Sequence, residues 1–151
     1  MLPEDLNLYL VINMKTYPNI VKSIMDAIAS VESKGAENPY TVLGKKTKSG
    51  DRAYGKYQVM GTNIPSWTKE ALGKAMTPNQ FLNSPQAQDT VAAERMGALY
   101  QKHGSVGDVA SVWFTGQTIA KAGNVKDITG TTNQKYVAAV TAAMPRVNAP
   151  T

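Results

Sequence analysis

The chain of 151 residues contains no cysteine and only one histidine, His103. Without thiols there is neither a disulfide framework nor a thiol nucleophile, which suits a bacterial protein on either side of the membrane. A lone imidazole with no acidic or thiol neighbours makes a poor metal centre. His103 precedes Gly104 at a predicted helix end, where a cationic side chain favours the dipole. Neither a metal nor another cofactor is expected. The sequence also lacks a zinc-ligand pattern, a phosphate-binding loop and a basic helix interleaved with aromatics. Nucleic acid would therefore have only net charge to recognise, and is not an expected partner. No apolar run reaches the roughly 18 residues of a membrane span. Repeats, low-complexity tracts, internal linkers and coiled-coil heptads are absent too, and a monomer is the expectation.

What is present fits one globular domain, with 42% hydrophobic residues and a formal charge of +5 that favours polyanions in general. From Pro18 the apolar residues Ile20, Ile24, Ile28 and Val31 recur at steps of four, four and three, with Val21 and Met25 widening the stripe. That is the period of a core-facing helix. At about 100° per residue, Glu32 falls roughly 60° from the centre of the stripe, on the rim of the buried face. A carboxyl there loses hydration, so its pKa is expected to rise toward the range in which it donates a proton near neutral pH. The plainer alternative is a solvated glutamate at a helix end. Gly35 supplies the stop, and Ser33 can hydrogen-bond backbone or substrate.

Beyond Asn38-Pro39 the helix is broken. Tyr40-Thr41-Val42-Leu43 and Tyr57-Gln58-Val59 are β-prone, separated by a Gly- and Lys-rich loop, and together predict a short hairpin or a pair of extended stretches. Gly55 permits close approach of backbone or a sugar ring. Tyr57 and Gln58 are expected to alternate in direction, with Gln58 able to donate and accept hydrogen bonds.

Glu32-Ser33 followed by Gly55-Lys56-Tyr57-Gln58 resembles the lysozyme-like domain of soluble lytic transglycosylases and goose-type lysozymes, which carry a Glu-Ser pair at a helix end and then a Gly-x-x-Gln segment. Trp113-Phe114-Thr115-Gly116 is similar to a third family motif and Tyr136-Val137 to a fourth. The resemblance runs from about Pro18 to Met144, with the motifs in the family's order. Lys56 and Tyr57 depart from the usual Leu-Met, and Phe114 stands where a tyrosine is usual. The resemblance implies a mainly α, α+β lysozyme-like fold with a small β-hairpin lining a glycan-binding groove. It also implies peptidoglycan strands as partner and a periplasmic or secreted location, although Glu4 and Asp5 precede Leu8–Ile12 where a signal peptide would be basic.

For mechanism, the resemblance implies a lytic transglycosylase in which one glutamate, Glu32, protonates the oxygen between N-acetylmuramic acid and N-acetylglucosamine and then accepts the muramoyl 6-hydroxyl proton, closing a 1,6-anhydro ring. Tyr136 would orient it, and Ser33, Gly55, Tyr57, Gln58, Trp113, Phe114 and Thr115 would meet substrate. The alternatives are a muramidase hydrolysing the same bond, and a non-catalytic glycan-binding or assembly module. Gly50-Asp51-Arg52 resembles a goose-type lysozyme loop whose aspartate helps position water, so Asp51 is a candidate second carboxylate. An inverting enzyme would need it roughly 6.5–9.5 Å from the acid. Asp51 can equally be a loop carboxylate paired with Arg52 or a lysine.

The remaining sequence reads as helices. Pro65 and Gly73 bracket one with Trp67, and Thr77-Pro78 starts another. Ser84-Pro85 opens the longest, running to His103 with Val91, Met96 and Leu99 inward and Ala92, Arg95 and Ala98 flanking toward solvent. A helix from about Val106 to Phe114 delivers Trp113 and Phe114, which can stack on sugars or simply fill core. Thr132 caps a last helix with Tyr136, Val137, Val140 and Met144 on one stripe. The domain is set at 18–144, preceded by an N-terminal arm over 1–17 and followed by a tail over 145–151.

Overall fold

The computed structural model describes residues 18–145. The expected arm over 1–17 and all but the first residue of the expected tail lie outside this range. The described chain is mainly helical, with seven α-helices and one small antiparallel sheet.

Helix α1 spans Pro18–Glu32 and buries Val21, Ile24, Ala27 and Ile28. Helix α2 spans Ile64–Leu72 and stops at Gly73, whose φ of 76° lets its N–H return to the Lys69 carbonyl. Helix α3, Pro78–Leu82, starts with a reciprocal capping box between Thr77 and Gln80. Helix α4, Pro85–His103, is capped by the Ser84 hydroxyl, and α5, Val106–Thr115, by that of Ser105. The short α6, Ile119–Ala122, is followed by α7, Asn133–Ala143, with Thr132 as its cap. The helix boundaries thus follow the Ser-Pro, Thr-Pro and Gly punctuation of the sequence.

Helix α1 packs on α4 and α7, and α5 packs on the same two helices, which closes a four-helix core. Ile24, Ile28, Met96, Val109, Tyr136 and Val140 fill it. A second cluster of Val59, Ile64, Phe81, Ala87 and Val91 lies beneath α2 and α3. Trp113 packs against both. Ala92, expected to flank the buried stripe of α4, is fully buried. The cause is that α4 contacts α1, α2, α3 and α5, which widens its apolar face beyond a single stripe.

The sheet pairs β1, Ala53–Tyr54, with β2, Val59–Met60, in the register Ala53 to Met60 and Tyr54 to Val59. Two expectations for this region change. Tyr40 does not open a strand. Asn38 accepts from the Tyr40 N–H (3.1 Å) and caps a 3-10 turn over Pro39–Thr41, leaving Leu43 a single bridge to Tyr54. Tyr57 and Gln58 do not alternate along a strand either, because Gly55–Gln58 is the hairpin turn itself.

Gly55 has φ +84°, and a Cβ there would overlap the Gln88 side-chain oxygen. The glycine is thus required by the close approach of α4. Replacing Gly55 by Ala should lower unfolding free energy by about 2–4 kcal/mol, through backbone strain and displacement of Gln88 together. Urea titration followed by circular dichroism would measure it, and a loss under about 0.5 kcal/mol would contradict this account.

Candidate active site

Glu32 is the last residue of α1. As a residue it is half-buried, and burial pushes its carboxyl up to about 8; the neighbouring Tyr136 hydroxyl opposes that rise and the negative charge of Asp127 adds to it. At neutral pH this carboxyl is mostly protonated, the state a general acid needs. The Tyr136 hydroxyl is itself buried, and burial together with the Glu32 charge raises its pKa. Its approach to Glu32 is looser than a standard hydrogen bond, and the hydroxyl has no other partner among the described residues. A buried hydroxyl in that condition costs roughly 1–3 kcal/mol and is poised to bond whatever polar atom comes near.

Helix α7 brings Tyr136 to this point because Thr132 fixes its start, with the Thr132 hydroxyl accepting from the Lys135 N–H at 3.2 Å. The Phe114 ring stacks on Tyr136 at 4.4 Å between centroids and 10° between planes. The preceding Trp113 donates from its indole nitrogen to the Tyr57 carbonyl at 2.9 Å. Contacts therefore run from Glu32 through Tyr136 and Phe114 to Trp113 and the hairpin turn, so segments far apart in sequence meet.

Other candidates point elsewhere. The buried Ser33 hydroxyl donates back to the Ala29 carbonyl (2.9 Å) and closes the helix end. Thr115 does the same for α5, donating to the Ser111 carbonyl at 2.7 Å. The Gln58 amide donates to the Val42 and Gly55 carbonyls (3.2 and 2.9 Å) and holds a backbone with φ 55°. Tyr57 is buried, and its hydroxyl donates to Asp89 at 2.7 Å. Asp51 accepts from the backbone of Arg52 at 2.8 Å and from the hydroxyl of Thr62 at 3.0 Å, so its carboxylate knits the loop to the start of α2.

The carboxylate that bears electrostatically on Glu32 is Asp127, which the sequence does not single out. Its Oδ1 accepts from Thr129 N (2.8 Å), the Thr129 hydroxyl (2.6 Å) and Thr131 N (2.9 Å), a self-contained turn before α7. Asp-Ile-Thr-Gly is legible as a turn. Its nearness to Glu32 is tertiary and has no local signal. No protein-family model matches the chain, and neither does any curated protein or solved structure.

The raised Glu32 pKa has a consequence for stability. The folded chain holds the proton up to about pH 8, whereas an unfolded glutamate releases it near 4.5. The stability linked to that proton is complete below about pH 4.5 and is lost as pH rises toward 8. Glu32→Gln, which mimics the protonated acid, should melt within ~2 °C of the native chain at pH 5 and roughly 5–10 °C above it at pH 9. Equal differences at both pH values in a calorimetric series would refute the shift.

Proposed function

We propose that the protein cleaves the glycan strands of peptidoglycan as a lytic transglycosylase, with Glu32 as its acid and base. The observation that carries this reading is a carboxyl kept protonated near neutral pH at a helix end, with an unengaged tyrosine hydroxyl beside it. Glu32 gives its proton to the oxygen linking N-acetylmuramic acid to N-acetylglucosamine, and the bond to the leaving sugar breaks. The resulting carboxylate takes the proton of the muramoyl 6-hydroxyl, whose oxygen bonds the anomeric carbon and closes the anhydro ring. Glu32 ends protonated, and no water is consumed. Tyr136 can stabilise the intervening carboxylate by donating its hydroxyl, a bond that strengthens as charge develops.

Hydrolysis of the same bond is the second reading. Asp51 supports it poorly, since its oxygens serve the loop. Asp127 bears on Glu32 through its charge, and its Oδ1, like the oxygens of Asp51, is engaged by its own turn. A water activated there would add to the anomeric carbon in place of the 6-hydroxyl.

Glu32→Gln should cut lysis of purified cell walls by at least ~100-fold while leaving the far-ultraviolet spectrum unchanged. Undiminished lysis would remove the catalytic assignment. Mass spectrometry of the native products separates the two reactions, as the anhydro end is lighter than a reducing end by one water. Activity should fall as pH rises past about 8, where Glu32 loses its proton; a rate still climbing at pH 9 would identify a different acid.

A further inference from the structure

The outward face of α1 carries an elongated groove that the proposed chemistry does not use. One cleft of about 410 Å³ lies against Lys22, Met25 and Tyr40, and a second of about 360 Å³ lies against Ser30, Ser33 and Lys34. Both are bounded by Asp26 and Lys56, so they form consecutive stretches of one channel. From Lys22 to Ser33 the channel follows roughly 16 Å of helix, enough for about five extended peptide residues.

The neutral polar groups of this channel are already engaged. Tyr40 and Tyr57 donate their hydroxyls to Asp89 at 2.9 and 2.7 Å. Ser30 and Ser33 donate to the Ala27 and Ala29 carbonyls within α1. The tyrosine rings face the Lys56 ammonium at 4.9 and 5.6 Å, so those faces are occupied by a cation. A sugar, which needs neutral donors and open ring faces, finds few of either. Charges remain. Among the described residues no ion pair involves Lys22, Lys34, Lys56 or Asp26. Lys56 is held in place by its two rings and by a 3.4 Å bond to the Tyr40 hydroxyl. Its backbone N–H is anchored to Gln88 at 2.9 Å. It is therefore a positioned ammonium outside any ion pair, over a cleft that Asp89 also lines and whose apolar walls include Val21, Met25 and Ala93; the two clefts together carry the three lysines Lys22, Lys34 and Lys56 against the two aspartates Asp26 and Asp89.

We propose that this channel binds a short extended peptide carrying more carboxylates than amines, with Lys56 taking a carboxylate and Asp26 an amine. Free peptides of that charge and the stem peptides of peptidoglycan share the chemistry, and binding needs no catalysis. It therefore stands or falls separately from the glycan-cleaving reading. The test is titration of the isotope-labelled full chain, followed by amide chemical shifts, with two N-acetylated pentapeptides, each bearing two carboxylates and one amine: N-acetyl-Ala-γ-D-Glu-Lys-D-Ala-D-Ala and its α-linked all-L isomer. Saturable shifts at Asp26, Lys34 and Lys56 are expected with at least one peptide, weakened at least about tenfold in Lys56→Glu and by added salt. Response to the γ-linked peptide alone would assign the site to wall peptides. A folded Lys22→Glu/Lys34→Glu variant should weaken binding independently, covering a Lys56 variant that fails to fold. Absence of saturable shifts with both peptides, affinity indifferent to both charge reversals, or displacement of the peptide by an N-acetylglucosamine oligomer would each overturn the proposal.

Discussion

The Gln88 side chain is completely buried, and the arrangement of hairpin and helices depends on how its amide is satisfied. Its oxygen accepts from the Lys56 N–H, and its nitrogen donates to the Tyr40 and Phe81 carbonyls at 3.0 and 3.1 Å. One residue on α4 thus ties together the hairpin turn, the 3-10 turn before it and the end of α3. A buried amide left unpaired would cost roughly 1–3 kcal/mol, so these three segments have one position in which that cost is avoided. Gly55 allows the approach, and the turn then drives Tyr57 into the four-helix core. With Tyr57 fixed, its carbonyl becomes the acceptor for Trp113, which sets the end of α5 and hence the Phe114 ring against Tyr136.

Glu32 stands at the far end of that chain of contacts, and its protonation follows from the same packing. A solvated glutamate at a helix C-terminus would be ionised. Here desolvation outweighs the help of the Tyr136 hydroxyl, and the charge of Asp127 adds to the imbalance. At this helix end the Tyr136 hydroxyl has no close partner, whereas Ser33, Thr115 and Gln58 are bonded to nearby backbone. The candidate site is accordingly small. Its polar centre is an acid and a phenol, with the Phe114 ring stacked on the phenol.

Much of this was legible in the sequence because it is set locally. Ser84-Pro85, Thr77-Pro78 and Thr132 mark helix starts by side-chain capping, and Gly73 and Gly104 mark ends by left-handed backbone. The four-residue and three-residue spacing of Ile20 to Val31 fixed the buried face of α1 and put Glu32 on its rim. The hairpin was legible as a hairpin but with its turn misplaced. Tyr57 and Gln58 have strand-forming composition, and what overrides it is Gly55 with φ +84° against Gln88, a contact 33 residues away in sequence. Gln88 and Asp127 are not legible in the sequence for the same reason. Nothing within a few residues of either marks it, and each gains its role from a neighbour supplied by the fold.

The turn Gly55–Gln58 also engages its own side chains. Neither the Lys56 nor the Tyr57 side chain is idle: Tyr57 donates its hydroxyl to Asp89, and Lys56 lies over the Tyr40 and Tyr57 rings. Lys56 and Tyr57 act as a unit with Tyr40 and Asp89, since the lysine depends on rings whose hydroxyls are held by the aspartate. An aliphatic residue at 56 would leave the tyrosine faces open and the channel without its central cation. A single four-residue turn consequently serves two sides of the domain. Its carbonyl at Tyr57 holds Trp113 beside the Phe114 ring that stacks on Tyr136, and its lysine gives the outward channel its central charge.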